Sequence, residues 1–89
     1  MLFSKELSIL IKSGLPIVSC LKILTEHTAN NKFKMIILDI KNQVEAGSSL
    51  SDAFSSHTKI FPKFYATSIN AGEVSDTISD VLIFLYEYL

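Results

Sequence analysis

Apolar residues recur at intervals of three and four along most of this chain, and this spacing limits the fold more than any other feature. Such intervals place side chains on one face of an α-helix, whereas a half-buried β-strand needs apolar and polar residues in alternation. No stretch shows sustained alternation. The sequence therefore predicts an all-α fold without strands.

Glycine, proline and polar segments divide the periodic pattern into about six short helices. The first helix is expected to end at Gly14-Leu15-Pro16, because glycine suits the end of a helix and proline the first turn of the next. A polar loop over 27–31 precedes a long third helix that ends at Gly47. Pro62 is expected as the first residue of the fifth helix, and Ser75 as the N-cap of the sixth.

The predicted core is formed by residues that share one face of each helix. These are Phe3, Leu7, Leu10, Ile11, Gly14, Ile17, Cys20, Leu21, Leu24, Phe33, Ile36, Ile37, Ile40, Val44, Leu50, Ala53, Phe54, Phe61, Phe64, Tyr65, Ser68, Ile69, Gly72, Ile78, Val81, Leu82, Leu85 and Leu89. Short helices with tight links predict a compact antiparallel bundle in one domain, residues 1–89. Since the chain stops without a helix stop signal, it is interpreted as a domain excised from a longer membrane protein.

Composition argues against nucleic acid as a partner. The chain has eight lysines, no arginine and nine acidic residues, for a net charge of −1. Duplex-binding proteins need a basic surface, and arginine is the side chain best suited to phosphate and guanine. Hydrophobic residues make up 48% of this short chain, so some apolar surface is expected to seek a partner. The longest apolar run, 81–86, is too short to span a bilayer.

The chain lacks the residue combinations of an enzyme. Nucleophilic catalysis needs a serine or cysteine beside a base and an orienting group. His27 and His57 fall in predicted loops and are interpreted as solvated side chains. Cys20 lies on an apolar stripe, where a cysteine behaves as a small hydrophobic residue. No catalytic activity and no cofactor are predicted.

Three acidic residues, Glu73, Asp76 and Asp80, are weak candidates for a cation site. Spaced acids near a helix start more often complement the helix dipole, so no metal is predicted. Glu73 is unusual because a carboxylate is disfavoured at the C-terminal end of the fifth helix. Either it accepts hydrogen bonds from the start of the sixth helix, which is the favoured interpretation, or it contacts a basic residue of a partner.

The sixth predicted helix is apolar on more than one side. Nine of the twelve residues from Ile78 to Leu89 are apolar or tyrosine. A single buried stripe leaves four interface candidates on other faces: Ile83, Phe84, Tyr86 and Tyr88. A helix with apolar residues all round is buried on more than one side, so we expect a homodimer through this helix. Contact with lipid headgroups, or with a further segment of a longer chain, is the alternative.

Three motifs occur in a set order along the chain. The first runs from Phe3 to Gly14-Leu15-Pro16; the second comprises Gly47, Ser49, Leu50 and Ser51; the third comprises Phe61, Pro62, Gly72, Glu73 and Ser75. Ser49 is a predicted N-cap, with Asp52 completing a capping box. In this order and spacing the motifs resemble the cytoplasmic domain of the type II secretion system F protein family. Asp76 stands where that family usually has glycine, and Ile78 where it usually has leucine.

The resemblance implies a non-enzymatic role at the cytoplasmic face of the bacterial inner membrane. Proteins of this family form the platform on which pilin-like subunits are assembled in type II secretion, type IV pilus biogenesis and competence. The implied partners are a cytoplasmic assembly ATPase, other inner-membrane subunits and a second copy of the domain. The alternative is a small helix-turn-helix DNA-binding module, but the third helix offers only Lys34, Lys41 and Asn42 to read DNA.

Overall fold

The computed structural model describes all 89 residues, and it contains six α-helices and no strand. The helices are α1 (Leu2–Lys12), α2 (Ile17–His27), α3 (Asn31–Glu45), α4 (Leu50–Ser55), α5 (Lys63–Ser75) and α6 (Ile78–Tyr88). The prediction of a compact all-α bundle of six short helices is confirmed. None of these helices combines the length and the hydrophobicity needed to cross a membrane.

Glycine and proline set the helix boundaries close to the predicted positions. Gly14 and Gly47 adopt φ values of 95° and 111°, which are strained for any residue with a Cβ atom. Pro62 precedes the first residue of α5 rather than being that residue, so its predicted position was wrong by one. Its restricted φ of −57° still directs the chain into the helix.

The end of α5 differs from the prediction. Ser75 is the last residue of α5 rather than the N-cap of α6, and its hydroxyl donates to the carbonyl of Ala71 at 2.8 Å. Asp76 adopts the left-handed conformation with φ 58°, and the N–H of Thr77 donates to the carbonyl of Gly72 at 2.8 Å. This bond and conformation form a Schellman motif, with aspartate in the position that glycine usually takes.

The helices pack as a closed ring. Each helix packs against the next along the chain, and α6 returns to pack against α1. The Ser8 hydroxyl on α1 donates to the carbonyl of Ser79 on α6 at 2.7 Å. Gly72 lets α5 approach α6 closely, since an added Cβ would lie 3.1 Å from Val81 Cγ2 and 3.2 Å from Ile78 Cα. The two ends of the chain therefore lie in adjacent helices.

An aromatic cluster fills the centre of the ring. Phe61 is fully buried, and its ring centroid lies 4.6 Å from that of Phe54, 4.8 Å from Tyr65 and 5.7 Å from Phe3. The predicted role of Phe61 as a buried anchor is confirmed. Its aromatic neighbours lie on α1, α3, α4 and α5. Phe61 thus joins four helices in one core.

Tyr65 carries the one polar atom of this aromatic core. Its hydroxyl lies 2.8 Å from that of Ser4, and both residues are fully buried. Burial raises the pKa of Tyr65 to about 12, because the charged phenolate is poorly solvated there. The pair therefore links α1 to α5 with both hydroxyl groups satisfied.

Candidate functional site

Two of the sequence motifs meet at the N-terminus of α4. The Glu73 carboxylate, on α5, accepts hydrogen bonds from the backbone N–H groups of Leu50 at 2.9 Å and Ser51 at 3.1 Å. The hydroxyl of Ser49 accepts from the N–H of Asp52 at 3.1 Å, which confirms Ser49 as the N-cap. Residues more than twenty positions apart in sequence thus form one junction.

The position of Glu73 corrects the prediction made from the sequence. Glu73 ties α5 to α4, and not to α6 as the favoured interpretation held. The unfavourable position of a carboxylate near the end of α5 is offset by the positive end of the α4 dipole. Asp52 returns no bond to Ser49, so the predicted capping box is only half formed. Glu73 accepts instead from the first N–H groups of the helix.

This junction explains how so short a helix is held in place. Helix α4 has six residues, and an isolated helix of that length is unstable in water. Three of its N-terminal N–H groups are satisfied by the side chains of Ser49 and Glu73. The buried residues Leu50, Ala53 and Phe54 supply the apolar contact. Ser49 and Glu73 therefore hold the start of α4 in place against α5.

The acidic residues do not assemble into a cation site. No group of three histidine, cysteine, aspartate or glutamate side chains comes together anywhere in the fold. Both oxygens of Glu73 are already engaged with the backbone of α4. Asp76 and Asp80 are exposed, at the end of α5 and in the first turn of α6. The weak hypothesis of a cation held by these three residues is thus not supported.

His57 lies in a loop, as predicted, but its side chain is hydrogen-bonded rather than solvated. Its Nε2 lies 2.6 Å from Asp39 Oδ2 on α3, and the Gln43 side-chain amide donates to the same oxygen at 2.8 Å. The pKa of Asp39 is lowered, mainly by the hydrogen bond with His57 and next by that with Gln43. The carbonyl of His57 also accepts from the N–H of Phe61 at 2.8 Å. His57 thus links α3 to the turn that ends at the buried Phe61.

The other histidine, His27, and the one cysteine, Cys20, both lie on α2. His27 is the exposed last residue of α2, in a helix where a loop was predicted. Cys20 is fully buried, which confirms its place in the core. Burial raises the pKa of its thiol, so the nucleophilic thiolate is disfavoured.

An aromatic cluster on the surface joins α5 to α6, and we call its three residues, Phe64, Phe84 and Tyr88, the exposed aromatic cluster. Their side chains are 45%, 50% and 68% exposed. The ring centroids of Phe64 and Tyr88 lie 5.4 Å apart, and those of Phe84 and Tyr88 5.8 Å apart. Phe64 was expected in the core, as was Leu89, which is 49% exposed. Both expectations were wrong.

The other two interface candidates on α6 are partly covered. Ile83 and Tyr86 are half-buried, whereas Phe84 and Tyr88 are exposed. The Lys5 ammonium lies 5.4 Å from the ring centre of Tyr86, in a cation–π contact between α1 and α6. The surface available to a partner is therefore centred on Phe84 and Tyr88, with Phe64 of α5 as a third member that sequence periodicity had assigned to the core.

A family model described as "Type II secretion system (T2SS), protein F" matches residues 3–89. The chain belongs to this family. It is 36% identical over 88 residues to the type IV pilus assembly protein PilC of Myxococcus xanthus, covering 99% of this chain and 21% of that protein. It is 33% identical over 87 residues to the type II secretion system protein F of Xanthomonas campestris pv. campestris, covering 98% of this chain and 22% of that protein.

Relatives of this secretion system F domain carry names from both pilus assembly and secretion. The type IV pilus assembly protein PilC of Thermus thermophilus is 35% identical over 88 residues, again covering 99% of this chain and 21% of the relative. The domain thus spans about a fifth of the length of these relatives.

Proposed function

We propose that this domain is a non-enzymatic module of an assembly platform for type II secretion or type IV pili, and that it works by binding other proteins. The observation that carries the proposal is the family match over almost the whole chain, with relatives named for both systems. The longer protein that contains the domain would be anchored in the bacterial inner membrane, with this domain on the cytoplasmic side.

One property of the surface and one property of the helix packing support this proposal. The exposed aromatic cluster combines large apolar area with one phenol group, and aromatic residues are enriched at protein interfaces. The closed ring is fastened by the Glu73 junction and by the pair of Ser4 and Tyr65, so a load applied to one helix is passed to its neighbours. We propose that the domain transmits the motion of a cytoplasmic assembly ATPase toward the membrane segments of the platform.

The partners in this proposal are the assembly ATPase, other inner-membrane subunits and a second copy of the domain. Self-association would use the exposed aromatic cluster, since two such clusters can cover each other across a two-fold axis. No observation favours the alternative of DNA binding: the net charge is −1, and the chain has no arginine.

Site-specific photo-crosslinking in the full-length protein tests the proposal in cells. A photoreactive residue at Phe84 or Tyr88 should form crosslinks to subunits of the secretion or pilus machine, including the protein itself. The same residue at Ser48, which is exposed in the loop between α3 and α4, serves as the control. Failure of both aromatic positions to crosslink to any subunit, at normal protein levels, would contradict a protein-binding role for this surface.

A further inference from the structure

A second exposed apolar surface lies beside the groove between the starts of α1 and α3. The groove has a volume of about 590 Å³, and it is lined by Met1, Leu2, Phe3, Asn30, Lys32, Phe33, Ile36 and Ile60. Leu2 is 61% exposed and Ile60 38%. Met35 follows Lys32 by three positions on α3, which places the two side chains side by side, and it is 65% exposed.

Positive charge surrounds these apolar side chains. Lys32 lines the groove, and Lys59 lines the adjoining cavity beside Ile60. We call the set Leu2, Lys32, Met35, Lys59 and Ile60 the basic apolar face. No acidic residue lines the groove or the adjoining cavity formed by Ile36 and residues 56–60.

None of the nine acidic residues of the chain lines the groove. Asp39, on the same helix as Lys32, is engaged by His57 and Gln43. Five other acids lie at the opposite ends of the helices, where α3 and α5 finish and α4 and α6 begin: Glu45, Asp52, Glu73, Asp76 and Asp80. The remaining three, Glu6, Glu26 and Glu87, are exposed on α1, α2 and α6 and line neither the groove nor the adjoining cavity. The N-termini of α1 and α3, which are the positive ends of their dipoles, lie at the basic apolar face. Lys32 and Lys59 therefore give the lining of the groove and the adjoining cavity a positive charge, although the whole chain is slightly negative.

We propose that the basic apolar face docks on the surface of an anionic lipid bilayer. Lysines near such a surface are attracted by acidic headgroups, each strengthening binding about fivefold, while apolar side chains enter the interfacial layer. Leu2 and Met35 are the two most exposed apolar residues of the face, which suits insertion between headgroups better than packing in a protein pocket. This proposal does not depend on any protein partner of the domain.

The alternative occupant is an acidic amphipathic helix of another protein, and the type of basic residue argues against it. Carboxylates of a protein partner are held best by arginine, whose planar group forms two parallel hydrogen bonds. The chain has no arginine. Lysine instead places a mobile point charge at the end of a flexible apolar stem, which can extend toward a headgroup layer while the stem covers apolar surface.

Vesicle co-sedimentation of the 89-residue chain tests the proposal. The probes are phosphatidylcholine vesicles with and without phosphatidylglycerol. We expect binding only to vesicles that contain phosphatidylglycerol, and we expect it to weaken as salt is raised. The double variant Lys32→Glu/Lys59→Glu should lower affinity at least twentyfold, at about fivefold for each lysine. The matched control Lys12→Glu/Lys22→Glu carries the same change of net charge away from the face and should retain most of the binding.

A second variant separates insertion from charge attraction. Leu2→Ser/Met35→Ser should weaken binding while leaving its salt dependence unchanged, and circular dichroism should show that every variant stays helical. Absence of binding to phosphatidylglycerol vesicles at low salt would overturn the proposal. So would equal losses in the two lysine variants. Binding of an acidic amphipathic peptide at this face without vesicle binding would also overturn it, and would indicate a protein partner.

Discussion

The carboxylate of Glu73 accepts a hydrogen bond from the backbone N–H of Leu50 at 2.9 Å, although 23 positions separate the two residues. A second bond from Ser51 completes the contact at 3.1 Å. A short helix that cannot persist alone is thereby held by a charged side chain from a longer neighbour. The same contact explains why a glutamate lies near the C-terminal end of α5, where the dipole of its own helix disfavours it.

Replacement of Glu73 by alanine should destabilise the domain. Two N–H groups of α4 would lose a charged acceptor in a partly buried site, which typically costs about 1–3 kcal/mol. Urea unfolding followed by circular dichroism measures the change in the free energy of unfolding. Glu87→Ala, at an exposed glutamate on α6 without a hydrogen-bond partner, is the control. Equal stability of the two variants would show that the junction contributes nothing.

Replacement of Asp76 by glycine should stabilise the domain by about 0.5–1 kcal/mol. Asp76 adopts the left-handed conformation. This conformation is unfavourable for residues that have a Cβ atom, whereas glycine adopts it freely. The greater freedom of glycine in the unfolded chain offsets part of this gain. Ser75→Gly, one position earlier and still helical, should instead lower the midpoint of thermal unfolding. A lower midpoint for Asp76→Gly than for the parent would refute this account of the turn.

Two phenylalanines three positions apart should differ strongly in their effect on stability. Phe61→Ala should cost about 3–5 kcal/mol, because it leaves a cavity among four aromatic neighbours. Phe64→Ala should cost about 1 kcal/mol or less, because that side chain is 45% exposed. Denaturant unfolding of both variants makes the comparison. Similar losses at the two positions would contradict the assignment of one to the core and the other to the surface.

The pair of Tyr65 and Ser4 predicts both a mutational coupling and a pH dependence. Tyr65→Phe leaves the buried Ser4 hydroxyl unpaired, at a cost of about 1–3 kcal/mol, and Tyr65→Phe/Ser4→Ala should recover part of that loss. The folded pKa of Tyr65, about 12, lies above the ordinary tyrosine value of 10.0, so the stability that the buried phenol contributes is present below pH 10 and is lost as pH rises toward 12.

The test is the difference between the parent and Tyr65→Phe in the pH dependence of stability, because pH effects common to both proteins cancel. The parent should lose more stability between pH 10 and 12 than the variant does. Urea unfolding measures the free energy of unfolding at each pH. If it falls equally steeply with pH in the two proteins, burial does not keep the phenol protonated.

Local patterns predicted the helices of this domain well, and failed where a contact joins distant residues. Periodicity placed Leu7, Ile37 and Leu82 in the core because each residue faces one helical stripe. It also placed Phe64 there, since a stripe cannot reveal that α5 carries an aromatic side chain at the edge of its contact with α6. The true partner of Glu73 could not be read locally, because α4 lies next to α5 only after the chain has folded.

The end of α5 shows a different limit. Ser75 and Asp76 are both common at helix starts, so their types favoured a start at Ser75. Aspartate also tolerates the left-handed conformation, and that property decides the turn here. Of the four interface candidates predicted on α6, Phe84 and Tyr88 are exposed, whereas Ile83 and Tyr86 are half-buried.

Sedimentation velocity of the 89-residue chain tests most directly whether the exposed aromatic cluster binds another protein, which is the central claim. At micromolar concentration we expect a dimer, because Phe64, Phe84 and Tyr88 leave a contiguous apolar surface uncovered. Phe84→Glu should shift the equilibrium to monomer while circular dichroism stays unchanged, and Val74→Glu, at an exposed apolar residue outside the cluster, should leave the dimer intact. A chain that stays monomeric at high concentration would contradict self-association through this cluster.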